Sequence, residues 1–309
     1  MGRAAIVTGG AGFVGSHVVD SLLADGYHVV AVDDLSTGSE KNLAREADLE
    51  RLDIVDGDAI RTLVERVAPE AIYHLAAQAS VTVSVEQPDR DCAVNVLGTL
   101  NLLEAARPGA VPLVFTSTGG ALYGNNAPLP TPETFIPEPE APYGASKWAG
   151  EAYVNTWAVS HGIPHAICRL GNVYGPRQNP HGEAGVVAIF SSRLLEGRPL
   201  TVYGHGKPTR DYIHVSDVVS AMRAAAGRRG TFNVGTGVET DVLTLLGHLQ
   251  DAAGKSVDPE LADLRPGELE RSCLDSSLAE RELGWRAEVS VDRGLRETFE
   301  ALAADPSRS

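Results

Sequence analysis

Tyr143 and Lys147, in the run Tyr143-Gly144-Ala145-Ser146-Lys147, form a pair that can move a proton. Four residues apart on a helix, they share one face. A free tyrosine has a pKa of about 10 and is a poor base near neutrality. An ammonium about 6 Å away, at an effective dielectric of about 20, contributes roughly 2.8 kcal/mol, or about two pKa units, toward tyrosinate. Any further positive charge beside the pair would act in the same direction. The spacing predicts a general acid/base brought near neutral pH. Taken alone, the same pair also fits a solvent-facing helix. A third participant lies in Phe115-Thr116-Ser117-Thr118. Hydroxyls at the carboxyl end of a parallel strand face the crevice where ligands bind. Thr118 is the predicted proton-sharing hydroxyl, and capping the turn that follows is a second, compatible use of the same group.

The glycine run Thr8-Gly9-Gly10-Ala11-Gly12-Phe13-Val14-Gly15 stands directly behind the apolar residues Ala4-Ala5-Ile6-Val7. A short apolar run of this kind reads as a buried parallel strand. Gly9 permits a sharp turn, Gly12 a close approach of backbone to a pyrophosphate, and Gly15 tight packing of the next helix. That helix is expected from Phe13 to about Asp25, with its N-terminal N–H groups toward the phosphates and Gly26 at its end. A second strand, His28–Val32, ends in Asp33-Asp34, about 20 residues past the glycines, where an acid grips a ribose diol. Two carboxylates repel a 2′-phosphate, so NAD is favoured over NADP. Asp53-Ile54 follows a third short hydrophobic segment, and Asp53 is either a cap on adenine or an ordinary loop acid.

These groups need a scaffold, and 309 residues with 43% hydrophobic content can bury a full core. Strands are expected at Ala71–Leu75, Pro112–Thr116 and Ala166–Leu170. Helices are expected at Asn95–Ala106 and from Pro142 to about His161, with a proline-rich loop at 127–142 between them. The alternation is that of a Rossmann-type, doubly wound α/β sheet. It breaks after Asn172. Residues 175–185 are rich in Gly, Pro and polar side chains; a helix near Val186–Glu196 and strands at Leu200–Tyr203 and Thr231–Val234 follow. The expected division is a dinucleotide-binding domain over 1–171, rejoined around 206–237, and a smaller α/β lobe over 172–309.

A net charge of −15 argues against nucleic acid as a partner. Cys92, Cys168 and Cys273 are odd in number and widely spaced, which suggests neither a disulfide framework nor a metal site. No basic-then-apolar leader and no run of 18 apolar residues is seen, so the expectation is a cytoplasmic protein off the membrane.

With Thr8–Gly15, Asp33-Asp34-Leu35-Ser36-Thr37-Gly38, Asn95-Val96-Leu97-Gly98-Thr99, Ser117-Thr118, Tyr143–Lys147 and Arg210-Asp211-Tyr212-Ile213-His214-Val215, the chain resembles the extended short-chain dehydrogenase/reductase family. Within it the chain is most similar to the UDP-glucose 4-epimerase branch, from residue 3 to about 299. The resemblance implies a Rossmann domain with a C-terminal nucleotide-sugar lobe, and NAD held through turnover. It implies NAD contacts from Gly9, Gly12, Phe13, Val14, Asp33, Asp34, Ser36, Thr37, Gly38, Asp53, Ile54, Leu75, Ala76, Ala77, Gln78, Asn95, Thr116, Tyr143 and Lys147. For the substrate it implies Thr118, Tyr143 and Asn172 near the sugar diphosphate, with Val186 and Val187 on uridine through backbone groups and Tyr203 stacked on uracil. Arg210 and Arg265 would clamp the diphosphate, Glu268 the uridine ribose, and Ser272 would wall the pocket near the sugar C2 group. Two aimed guanidiniums let an acidic protein hold an anionic ligand. Arg177 either reaches a C6 carboxylate or makes a loop ion pair. Family members dimerise through paired helices, here those near 95–106 and 147–161, which makes a homodimer the expectation.

The implied reaction is 4-epimerisation of a UDP-hexose through a 4-keto sugar. UDP-GlcNAc and UDP-glucuronate are the alternative substrates. Thr118 stands where many relatives carry serine, and the stretch Thr118-Gly119-Gly120-Ala121 is one residue longer than in the best-known members. The acid that dehydratases and decarboxylases carry near this position is absent, which disfavours elimination and loss of CO2. Another nucleotide-sugar enzyme of the family (a reductase, decarboxylase or dehydratase) and a redox-inactive NAD sensor are the competing readings.

Overall fold

The computed structural model describes residues 2–180, 185–264 and 269–304. Its central sheet is built from strands β1 (Ala4–Thr8), β2 (His28–Val32), β3 (Asp48–Glu50), β4 (Ala71–His74), β5 (Leu113–Thr118), β6 (Ala166–Leu170) and β10 (Gly230–Val234). They lie in the order β10-β6-β5-β4-β1-β2-β3 and every pair is parallel. Strand order reverses beside β1, and the crevice above the carboxyl ends at such a switch point is where ligands bind in sheets of this kind. β1 is buried at all five positions, and its uniformly apolar-to-small composition follows from cover on both faces.

Helices α1 (Phe13–Ala24) and α8 (Val215–Ala225) cover one face. Val18, Val19, Leu22, Val218 and Met222 pack there against β1, β5 and β6. Helices α2 (Gly57–Val67), α5 (Gly98–Ala106) and α6 (Pro142–His161) cover the other, over Ile6, Ile72, Leu113, Phe115 and Ile167. The short helices α3 (Val81–Glu86) and α4 (Pro88–Cys92) precede a π-helical turn at Ala93–Leu97 that runs straight into α5. The expected helix at Asn95–Ala106 is thus the end of a longer element starting at Pro88, with a π-bulge in its middle. β5 also extends through Ser117 and Thr118, two residues past its expected end.

Strands β7 (Asn172–Tyr174), β9 (Thr209–His214) and β11 (Glu239–Asp241) form a second sheet. β8 (Thr201–Tyr203) pairs with β12 (Glu260–Ala262). With α7 (Val186–Glu196), α9 (Val242–Ala253) and α11 (Val291–Ala304) they enclose a separate cluster of Phe190, Leu194, Val202, Leu245, Leu249, Leu295 and Phe299. α10 (Ser277–Leu283) and Trp285 return to the first core. Among the described residues no helix is long and apolar enough to cross a membrane.

Candidate active site

The glycine loop joins β1 to α1 against the end of β4. Gly9 has φ +68°, and a Cβ there would sit 2.6 Å from the Ala76 backbone nitrogen. A Cβ on Gly15 would come within 2.0 Å of the Gly9 carbonyl oxygen. Neither position admits a side chain. Gly12 is different: its Cβ would meet only the Gly9 oxygen, at 3.1 Å, and it leads into a first turn of α1 with no side-chain cap. Backbone donors and open space at a helix N-terminus are the requirements of a pyrophosphate. Phe13 and Val14 are half-buried in that turn.

Asp33 is buried, and its carboxylate accepts hydrogen bonds from the Ala11 and Leu35 backbone N–H groups, each at 2.9 Å. The acid expected on a ribose therefore also ties the glycine loop to β2. Burial raises its pKa, against the two backbone bonds. Gly38 is pressed against this carboxylate. Exposed Asp34 accepts from Ser36 at both its N–H (2.9 Å) and its Oγ (2.6 Å), and Thr37 is exposed beside them. Asp53 is exposed and accepts from the Val55 N–H, an Asx-turn arrangement that matches the ordinary-loop alternative. Ile54 is a core residue under Gly98.

Beyond β4, Leu75, Ala76, Ala77 and Gln78 are half-buried along the rim of the crevice. Buried His74 holds the base of this rim. Thr99 Oγ1 donates to the Asn95 carbonyl, so it accepts from His74 Nε2–H at 3.0 Å. His74 Nδ1 then accepts from Thr8 Oγ1 at 2.7 Å, and Thr8 accepts from the Ala76 N–H at 3.3 Å. Burial pushes the His74 pKa down to about 3, with the Lys147 charge adding to the effect. Sequence reasoning saw His74 only as a strand end.

Asn95 sits in the π-bulge and is buried. Its amide donates to the Gln78 carbonyl (3.0 Å), Asp91 Oδ1 (3.1 Å) and Ser146 Oγ (3.0 Å), while its Oδ1 accepts from the Gln78 N–H at 2.9 Å. Ser146 Oγ donates to the Tyr143 carbonyl at 3.0 Å. The bulge thus clips the rim to the helix that carries the tyrosine–lysine pair. π-bulges recur at functional sites because the extra residue re-aims one side chain.

Pro142 opens α6, with Tyr143 half-buried and Lys147 buried one turn on. Lys147 Nζ lies over the Phe115 ring, 4.3 Å from its centroid. Burial lowers the Lys147 pKa to about 8, against the opposing charges of Glu151 and Asp91. Burial raises Tyr143 to about 12, and the Asp91 charge pushes the same way. The expected lowering by the lysine is overturned for the protein alone. Desolvation of the phenolate dominates, and the Asp91 charge adds to it.

Thr118 accepts the Ala121 N–H at 3.1 Å, so the turn-capping use is realised. Its hydroxyl hydrogen stays available for a second partner. Gly119 faces Leu274, and Gly120 lies near the Asn172 amide oxygen. Thr116 faces α8 and Met222, on the opposite side of β5 from Phe115. Beneath α6, Arg169 and Glu151 form a buried pair with bonds of 2.6–3.2 Å, and Arg169 also donates to Tyr123 OH at 2.7 Å. Tyr123 donates to Asn233 of β10 at 2.8 Å. Glu151 falls four residues after Lys147, a spacing that could have signalled it.

Across the crevice, Val186 and buried Val187 occupy the uncapped first turn of α7, which leaves backbone N–H groups for a ligand. Tyr203 ends β8, half-buried. Arg210 lies on β9 and donates to the Thr209 carbonyl at 2.8 Å. Ser272 is buried, its N–H bonded to the Thr209 carbonyl at 3.2 Å. Arg177 pairs with Asp20 of α1, the loop ion pair of its two readings. Arg265 and Glu268 lie outside the described residues. No cluster of metal-ligating side chains occurs among the described residues.

Residues 5–235 match the model of the NAD dependent epimerase/dehydratase family. A UDP-glucose 4-epimerase of Mycolicibacterium smegmatis is 47% identical over 304 residues, spanning 96% of this chain and 97% of that protein. The crystal structure of a UDP-glucose 4-epimerase from Thermotoga maritima, with UDP-glucose, is 44% identical and superposes with a TM-score of 0.96 over 98% of this chain and 99% of that one. A Thermus thermophilus UDP-glucose 4-epimerase in complex with NAD, also 44% identical, gives 0.90 over 97% and 98%.

Proposed function

This chain belongs to the NAD dependent epimerase/dehydratase family, and from that premise we propose that it interconverts UDP-glucose and UDP-galactose at C4. What supports the reading is that Thr118 ends β5, that Lys147 of α6 packs over Phe115 of the same strand one turn from Tyr143, and that the glycine loop leaves β1 at the same carboxyl edge of the sheet. The cradle at Gly12 and the uncapped start of α1 fit the pyrophosphate of NAD. Asp33 and Asp34 suit its unphosphorylated ribose. Bound there, NAD supplies reversible acceptance of hydride from the sugar C4.

The chain's own residues handle the proton and the orientation. Tyr143 takes the proton from the sugar O4 and later returns it; Thr118 shares a hydrogen bond with that oxygen. Lys147 stabilises the tyrosinate and holds a ribose hydroxyl. Asn172, Arg210, Arg265, Glu268, Tyr203 and the N–H groups of Val186 and Val187 hold the UDP moiety, which leaves the 4-keto sugar free to swing and present its other face. The two-part organisation, a dinucleotide domain over 1–171 rejoined by 206–237 and a substrate lobe, belongs to the same proposal.

A homodimer is supported by exposed Leu97, Trp148 and Tyr153 on adjoining helical segments. A cytoplasmic location is supported by three free cysteines, as expected of a reducing compartment. The −15 charge supports the absence of nucleic acid and of an anionic membrane surface as partners. The test is purified protein incubated separately with UDP-glucose, UDP-GlcNAc and UDP-glucuronate, with products resolved by chromatography. UDP-galactose with no net change in NAD(H) is expected. Release of CO2 or stoichiometric consumption of NAD(H) would overturn the assignment.

A further inference from the structure

Asp91 is 1% exposed, carries a carboxylate, and has no part in the reaction as described so far. It lies on α4, four residues before Asn95, and its Oδ1 accepts from two side-chain amides. Gln78 Nε2 donates at 2.9 Å and Asn95 Nδ2 at 3.1 Å. Gln78 is further fixed by Ser80, whose carbonyl accepts from Nε2 at 2.9 Å and whose N–H donates to Oε1 at 2.7 Å. A carboxylate in place of a neutral acceptor at this point is costly. The rim and the bulge would be joined equally well by an amide oxygen, and burying a charge disfavours it unless something uses it.

We propose that Asp91 is a positioning residue of the reaction: it holds Gln78 and Asn95 in place along the rim and sets a fixed negative charge against the Tyr143–Lys147 pair. Two amide N–H donors converge on the one oxygen, which fixes the carboxylate in orientation. The groups facing the pair are few. Glu151 shares α6 with Lys147, neutral His74 and the Phe115 ring face it from the sheet, and Asp91 faces it from α4. Glu151 is already held by Arg169 in a bidentate bond, whereas the bonds to Asp91 Oδ1 come from neutral amides. A net charge remains there. It opposes loss of the Lys147 proton, beside the larger effect of Glu151 and against desolvation, and it adds to desolvation in opposing ionisation of Tyr143.

The inference rests on the epimerase reading. The test is the pH profile of kcat/KM for the wild type and Asp91→Asn, which keeps Oδ1 as an acceptor and removes only the charge. Wild-type turnover tests the epimerase reading by itself; the position of the profile tests Asp91. Without the charge both groups lose protons more readily, so both limbs should move to lower pH by about one unit. Asp91→Glu, which restores the charge, should return the limbs to their wild-type positions even where kcat is reduced. Asp91→Ser, smaller and uncharged, serves the same reading if the asparagine variant loses its bound NAD. Limbs that stay in place in an uncharged variant, or that move equally in the glutamate variant, would reduce Asp91 to a packing contact and overturn the proposal.

Discussion

Lys147 Nζ stands 4.3 Å from the centre of the Phe115 ring, in a position sealed from solvent. The ring lends partial negative charge to an ammonium that water no longer solvates. The relation ties the middle of β5 to the second turn of α6 and fixes where the cation sits one turn from Tyr143. Replacing Tyr143 therefore removes the acid/base and leaves the rest of the arrangement standing. Tyr143→Phe is expected to lower turnover by at least about 10²-fold while retaining bound NAD. Steady-state assays beside nicotinamide analysis of the denatured protein would check it, and near-normal turnover would remove Tyr143 from its role.

The glycine loop makes a separate prediction. NAD should copurify with the protein and appear on denaturation, without addition to the assay. Gly15→Ala places a Cβ 2.0 Å from a backbone oxygen that has nowhere to move. Loss of NAD from that variant, or failure to fold, is expected. A Gly15→Ala protein that retains NAD at full stoichiometry would contradict the packing described for α1.

Ser272 bears on which sugars are accepted. It is small and buried, and the strand-like segment around it is pinned by Ser272 N–H to Thr209 and by Leu274 N–H to buried Asp211. UDP-GlcNAc turnover beside UDP-glucose is expected for the wild type. Ser272→Tyr should remove the first and spare the second, because overpacking an enclosed space costs about 1–3 kcal/mol. Paired kinetics on the two substrates decide it: a wild type inert toward UDP-GlcNAc, or a tyrosine variant that still turns it over, means Ser272 is not the gate.

The buried histidines give stability a pH dependence. His74 and His165 are held neutral by burial, with pKa values near 3 and 4 against about 6.5 in the unfolded chain. Their stabilising contribution is complete above about pH 6.5 and is lost as pH falls toward those lower values, because the unfolded chain takes up the protons first. Each such histidine costs about 1.4 kcal/mol per pH unit within that window. Urea melts between pH 7 and pH 4 should show the midpoint falling, with a shallower fall in His74→Gln. An equal slope in the variant would place the acid sensitivity elsewhere.

Much of this architecture is legible in the amino-acid sequence. β2 at His28–Val32, β6 at Ala166–Leu170, α6 at Pro142–His161 and α7 at Val186–Glu196 fall where periodicity, proline and glycine put them. Those are local signals. The π-bulge at Ala93–Leu97 is not local; Asn95 is re-aimed by partners in the segment after β4 and on α6 that lie 17 and 51 residues away. The Tyr143 pKa failed for a related reason. A pairwise estimate from spacing contains the lysine charge but not the desolvation of the phenol or the presence of Asp91. Arg169–Glu151 was missed because a buried ion pair looks in sequence like any other arginine and glutamate.

β10 closes the sheet beside β6, yet it is made from residues 230–234, sixty residues beyond the strand it covers. Until the ribosome has delivered that segment, β6 stands with a bare hydrogen-bonding edge and apolar residues on both faces. A nascent or truncated chain ending near Leu170 is therefore a template for sticking to its own copies rather than a small independent domain. Completion of that far edge has to wait for most of the polypeptide, whereas the glycine loop of the first fifteen residues rests on β1, whose neighbours β2 and β4 are both in place by His74.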